Sequence, residues 1–181
     1  MKVFSVMLST ISASMIVAIA VISLPVYAVE IQNVPNPRTS QVWVTDMENI
    51  LSPETEAQIN RIITELEAKN GTEIVVVTVP NTAPSATPKE FTTALFNYWK
   101  IGKKDIDNGV LFMISKGDRR VEIETGYGIE DILPDAKVGA IIDQKIIPEF
   151  KKGDFKTGIL NGTQGLILRQ FKFEVQHLGS F

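Results

Sequence analysis

The chain has no cysteine and a single histidine, His177, close to its C-terminus. The first absence excludes a disulfide scaffold, a zinc–thiolate site and a cysteine nucleophile together. The second removes multi-histidine metal sites, and a Ser-His-Asp triad would have to recruit the end of the chain. Positive charge is also scarce, with 18 Lys and Arg against 21 Asp and Glu, a formal net charge of −3. The densest basic groups are the pairs Lys103-Lys104, Arg119-Arg120 and Lys151-Lys152. Nucleic acid, whose affinity rests on clustered cations, is therefore not an expected partner. Walker loops, EF-hand loops and Gly-x-Ser-x-Gly elbows are missing too. Carboxylates, amides, backbone groups and bound hard cations are left to carry any chemistry.

What is present begins with a segment unlike the rest. Residues 1–28 carry one charge, Lys2, then an apolar stretch densest from Met15 to Leu24, and end in Val26-Tyr27-Ala28. That is the order of a secretory signal peptide with its cleavage site, the alternative being an uncleaved anchor. The expectation is export. Beyond it no second apolar run is long enough for a membrane helix. The expected organisation is a signal peptide (1–28), an extended Pro- and Asn-rich lead-in (29–41), one domain (42–175) and a short tail (176–181).

Within the domain, Ser52-Pro53-Glu54 reads as a helix start, with Ile59, Ile62, Ile63 and Leu66 on one face and Asn70-Gly71 as the stop. The β-branched run Glu73 to Val79 suits a strand buried on both faces. Thr87-Pro88-Lys89-Glu90 is a capping box opening a second helix. Gly109 to Ser115 is a second strand, and Lys116-Gly117-Asp118 turns into Arg119 to Thr125. A helix from Asp135 to Ile147, stopped by Pro148, and another from near Phe155 complete the pattern. Gly158, Gly162 and Gly165 would let that last helix lie close to a neighbour. The order predicts an α/β fold, a three-layer α/β/α sandwich around a small mixed sheet.

Acids and amides concentrate where strands begin and end. Asp46 closes a short apolar entry, Asp107-Asn108 precede a strand, and Glu130, Asp131 and Asp135 follow another. Brought together, such carboxylates would favour a hard cation, Ca²⁺ or alternatively Mg²⁺; taken singly, each is more readily a solvated cap or turn residue. Gly126-Tyr127-Gly128 resembles the start of a dinucleotide fingerprint, but Asp131 stands where the third glycine belongs.

Read in order, several segments resemble the TPM domain family. They are Val44-Thr45-Asp46, Thr72-Glu73-Ile74-Val75-Val76-Val77-Thr78-Val79, Leu95-Phe96-Asn97-Tyr98-Trp99, Asp107-Asn108-Gly109-Val110-Leu111, Gly126-Tyr127-Gly128-Ile129-Glu130 and Pro148-Glu149-Phe150-Lys151-Lys152-Gly153-Asp154. The likeness spans roughly residues 42–170. It implies an α/β/α sandwich in an exported or lumenal domain. Photosynthetic relatives act in photosystem II repair, a plant relative is described as an acid phosphatase, and others bind Ca²⁺ at an acidic cluster. Carried over by position, the implied metal ligands are Asp46, Asp107, Asn108, Glu130 and Asp135.

Two functions follow. One is a Ca²⁺-binding accessory domain that assists assembly or repair of a membrane complex such as photosystem II. The alternative is a metal-assisted phosphomonoesterase, in which Asp107 and Glu130 would be catalytic and Arg119 or Arg120 would meet the phosphate of a phosphomonoester.

Overall fold

The computed structural model describes residues 28–178, with side chains placed through Leu168. The expected signal peptide, apart from Ala28, and the last three residues of the expected tail lie outside the described residues. Four strands form one sheet in the order β1 (Val44–Asp46), β2 (Glu73–Val79), β3 (Gly109–Ser115), β4 (Arg120–Thr125). β1, β2 and β3 are parallel, and β4 returns antiparallel to β3. The helices are α1 (Pro53–Asn70), α2 (Pro88–Trp99), α3 (Asp135–Ile141), α4 (Ile147–Lys151) and α5 (Phe155–Leu178). Among the described residues no helix is long and apolar enough to cross a membrane.

The sandwich follows from the two-residue period of β2 and β3, every residue of which is buried. Ile74, Val76, Val110, Phe112 and Ile114 pack with Ile59, Ile63 and Leu66 of α1 and with residues of α3 and α5. Their sequence neighbours Val75, Val77, Val79, Leu111 and Met113 pack on the opposite face against Phe91, Leu95 and Trp99 of α2. Helices α1, α3, α4 and α5 thus share one face while α2 stands almost alone on the other. The lead-in helps to complete that thinner layer. Read from sequence as extended, it carries two 3₁₀ turns, Ile31–Asn33 and Pro37–Ser40, between extended residues, and it buries Val29 and Val34 beside α2.

Local signals set the ends of α1 and α2. Thr55 N–H donates to the Ser52 hydroxyl, and Gly71 takes the left-handed conformation that ends α1. Glu90 N–H donates to Thr87 Oγ1 at 3.1 Å to open α2. Pro148 does not stop the third helix. The backbone widens instead into a π turn over Ile142–Ile146 and runs on into α4, with Ile147 N–H donating to the Ile142 carbonyl. Widening upstream of a proline lets a helix continue across a residue that has no N–H to give. The glycines of α5 do admit close neighbours: a Cβ on Gly162 would lie 2.8 Å from Ile146, and one on Gly165 3.2 Å from Ile141.

Candidate functional site

The five expected ligands divide between two ends of the sheet. Asp46 ends β1 opposite Thr78, at the C-terminal edge of the parallel strands, whereas Gly109, which follows Asp107-Asn108, sits opposite Glu73 at their N-terminal edge. Glu73 and Thr78 are about 16 Å apart along β2 at 3.3 Å per residue, so Asp46 cannot share an ion with Asp107. Its carboxylate has local work. It accepts from Thr78 Oγ1, from Glu48 N–H at 3.3 Å and from Leu51 N–H at 2.7 Å, holding the turn between β1 and α1.

Antiparallel β4 brings the other acids to Asp107. Because β4 ends at the edge where β3 begins, the segment after it returns to the loop before β3. Gly126 N–H donates to the Gly109 carbonyl at 2.9 Å, and Gly128 N–H to the Asp107 carbonyl at 3.1 Å. The approach is backbone on backbone, since a Cβ on Gly128 would stand 1.8 Å from the Ile106 carbonyl oxygen and one on Gly126 2.1 Å from that of Asp107. This contact accounts for Gly126-Tyr127-Gly128: the glycines join two loops rather than cradle a pyrophosphate.

The result is a cleft of about 480 Å³ lined by α2, the end of β4 and the segment leading into α3. Asp107, Glu130 and Asp135 line it, as do Lys89, Thr93, Asn97 and Tyr127. Sequence reasoning did not single out Glu124, which also lines the cleft. It was legible only as an outward residue of an alternating strand, and its pairing across to α2 is a tertiary fact. Its carboxylate is engaged, 2.5 Å from Lys89 Nζ and 3.0 Å from Thr93 Oγ1. The carboxylates of Asp107, Glu130 and Asp135 make no hydrogen bond or ion pair among the described residues. Tyr127 stands at the cleft with 83% of its surface exposed.

Asn108 has a different place. It is buried, and its Oδ1 accepts from Lys103 N–H at 2.9 Å, so it shapes the loop and faces away from a ligand role. The loop itself is tight: Asp105 and Asp107 adopt left-handed backbone conformations, which aspartate tolerates better than most side chains. Glu73 anchors its start. Gly102 N–H donates to Glu73 Oε2 at 2.9 Å, Lys103 Nζ lies 3.2 Å from Oε1, and Arg38 Nη1 lies 2.6 Å from Oε2. Burial pushes this carboxyl's pKa up, but the Gly102, Lys103 and Arg38 contacts together outweigh it and hold the group below its ordinary 4.5.

The cleft offers hard oxygen donors of the kind Ca²⁺ or Mg²⁺ takes. As the side chains stand, no three of the described acids are grouped closely enough to hold an ion between them. A bound ion would thus draw on fewer carboxylates, with carbonyls or water completing its shell. Arg119 and Arg120 are remote from it. They lie at the β3–β4 turn, where Arg120 sits opposite Ser115 and pairs with Glu122 at 3.2 Å, so neither faces a phosphate held beside Asp107.

The TPM domain model matches residues 44–169. The solution structure of the N-terminal domain of a P. gingivalis protein is 30% identical, with a TM-score of 0.73 over 79% of this chain and 92% of that one. The BA42 protein of the psychrophile Bizionia argentinensis is 25% identical, with a TM-score of 0.60 over 70% of this chain and 86% of its own. An N-terminal domain from Corynebacterium glutamicum, 18% identical with a TM-score of 0.57 over 78% and 85%, shares the fold. No curated protein matches the chain.

Proposed function

Since the chain belongs to the TPM domain family, we propose that it is an exported accessory domain whose cleft takes Ca²⁺, with Mg²⁺ as a weaker substitute, and that it assists assembly or repair of a membrane protein complex, photosystem II being the example the resemblance suggests. The observation that carries the cation reading is the cleft at which Asp107, Glu130 and Asp135 present carboxylates without a protein partner. Carboxylates at one concavity are hard donors, and one or two of them can hold a divalent cation whose shell carbonyls or water complete. Asp107 and Glu130 come from the two loops that touch backbone to backbone, so the spacing between their main chains is fixed before a ligand arrives. Asp135 enters from the start of α3. The bound ion would supply charge neutralisation and a fixed relation between these segments.

The test is a Ca²⁺ titration of the purified chain followed by thermal unfolding and by amide chemical shifts. At about 100 times Kd the ion should add roughly 2.7 kcal/mol of stability, with shifts centred on residues 105–108 and 126–135. Asp107→Asn and Glu130→Gln should each weaken binding while leaving the unfolding transition cooperative. Shifts centred on Asp46, or no stabilisation at millimolar Ca²⁺, would sink this reading. The same preparations assayed with a generic phosphomonoester decide the enzymatic alternative. Metal-dependent turnover lost in both variants would make the domain a phosphatase, with Lys89 rather than Arg119 or Arg120 the cation lining the cleft beside the substrate.

A further inference from the structure

We propose that residues 29–41 are a strap that sets the conformation of the cleft loop, residues 101–108, through Arg38, a positioning residue outside the segment matched by the family. The strap is seated at two places. Val29 and Val34 are buried against α2 and the sheet, with Val29 N–H donating to the Ala83 carbonyl at 2.8 Å. Further along, Pro37 is buried and Asn36 caps the second 3₁₀ turn by accepting from Arg38 N–H at 3.1 Å, which aims the arginine inward.

From Arg38 an unbroken series of contacts reaches Asp107. The guanidinium donates to the Trp99 carbonyl at the end of α2, and its Nη1 meets Glu73 Oε2 at 2.6 Å. That same oxygen accepts from Gly102 N–H at 2.9 Å. Lys103 Nζ, 3.2 Å from the other Glu73 oxygen, also meets Glu67 of α1 at 2.7 Å. Lys103 N–H then fixes Asn108 Oδ1 at 2.9 Å, and its carbonyl accepts from Asp107 N–H at 2.9 Å. Remove Arg38 and a largely buried Glu73 must balance its charge with Lys103 alone.

The strap is built to be released as well as seated. Arg38 Nε is buried without a hydrogen-bond partner among the described residues, so undocking restores water to a donor that lacks one when the strap is closed. Its apolar seat is small, and the lead-in holds no long helix or strand of its own. Strap and loop therefore share one equilibrium. Whatever orders the loop tightens the strap, and whatever lifts the strap loosens the loop, by the same factor.

Amide hydrogen exchange of the full chain, without added cation, tests this. In Arg38→Met and in Val34→Ala, which frees the strap without touching Glu73, the Gly102, Lys103 and Asp107 amides should exchange about tenfold faster or more. Amides in the middle of β2 and β3, residues 75–78 and 111–114, should be unchanged. Arg38→Lys, which keeps a cation able to reach Glu73, should restore part of the protection. Faster exchange confined to residues 29–41 would overturn the proposal, and so would a uniform increase across the sheet, which marks general destabilisation. If Arg38→Met does not fold, Val34→Ala carries the same two outcomes. The measurement needs no ion, so failure of Ca²⁺ to bind and failure of the strap are separate results.

Discussion

At the scale of single residues, the site is made by side chains that are missing as much as by those present. Gly128 and Gly126 let two backbones touch, and the cleft lies where they do. Gly128→Ala places a methyl 1.8 Å from the Ile106 carbonyl oxygen, an obstacle that only a backbone shift can relieve. It should destabilise the fold by about 2–3 kcal/mol, read as a lowered denaturant midpoint, and should shift the amides of residues 105–108. Unchanged stability would mean that the two loops are not in contact. Asp107 and Glu130 were legible as acids at strand ends, but their difference from Asp46 was not. Each is an aspartate or glutamate beside an apolar run, and only hydrogen bonding separates the one that holds its own turn from those left without a partner.

Among the elements, those with a local cause are legible in the sequence. The starts of α1 and α2, the strands β2 to β4 and the turn between the last two follow from caps, β-branched runs and a Lys-Gly-Asp turn, all interactions between neighbours in sequence. Thr87→Ala removes the hydroxyl that accepts from Glu90 N–H and should cost about 1 kcal/mol. Thr87→Asp, another good cap, should recover most of it in the same unfolding experiment. Loss near zero would show that Pro88 suffices to start α2. Pro148 is the exception. A proline lacks one donor and crowds one turn of helix, which a π turn upstream can accommodate when an apolar residue of that turn belongs in the core. Buried Ile146 contacts α5 at Gly162, so packing keeps the chain helical where local propensity ends it.

For the whole molecule, stability against pH reports how far Glu73 ties separate parts together. Its carboxyl titrates below 4.5 in the fold, so its contribution is present above that value and is lost as pH falls through the lower, folded one. Asp118, held down by Ser115 and Thr82 against the opposing effect of its burial, acts in the same direction, whereas Glu56, raised by burial and by Asp46, acts against it. The melting temperature of the wild type should exceed that of Glu73→Gln most near pH 6–7, and the gap should narrow progressively as pH falls below 4.5. A gap independent of pH would show that packing around Glu73, and not its charge, is what the variant loses. By itself the sequence determined the α/β/α class, the β-branched strands and the family, because these follow from periodicity, capping and ordered motifs that act over a few residues. Only the tertiary structure decided that Asp46 and Asp107 belong to opposite edges of the sheet while Glu130 and Asp135 return to Asp107. The Lys-Gly-Asp turn sends β4 back beside β3, but no local signal sets β1 parallel to β2 or seats the segment after β4 on the loop before β3: the packing of the connections does, so that parallel β1 carries one acid away while the segment after β4 brings two back.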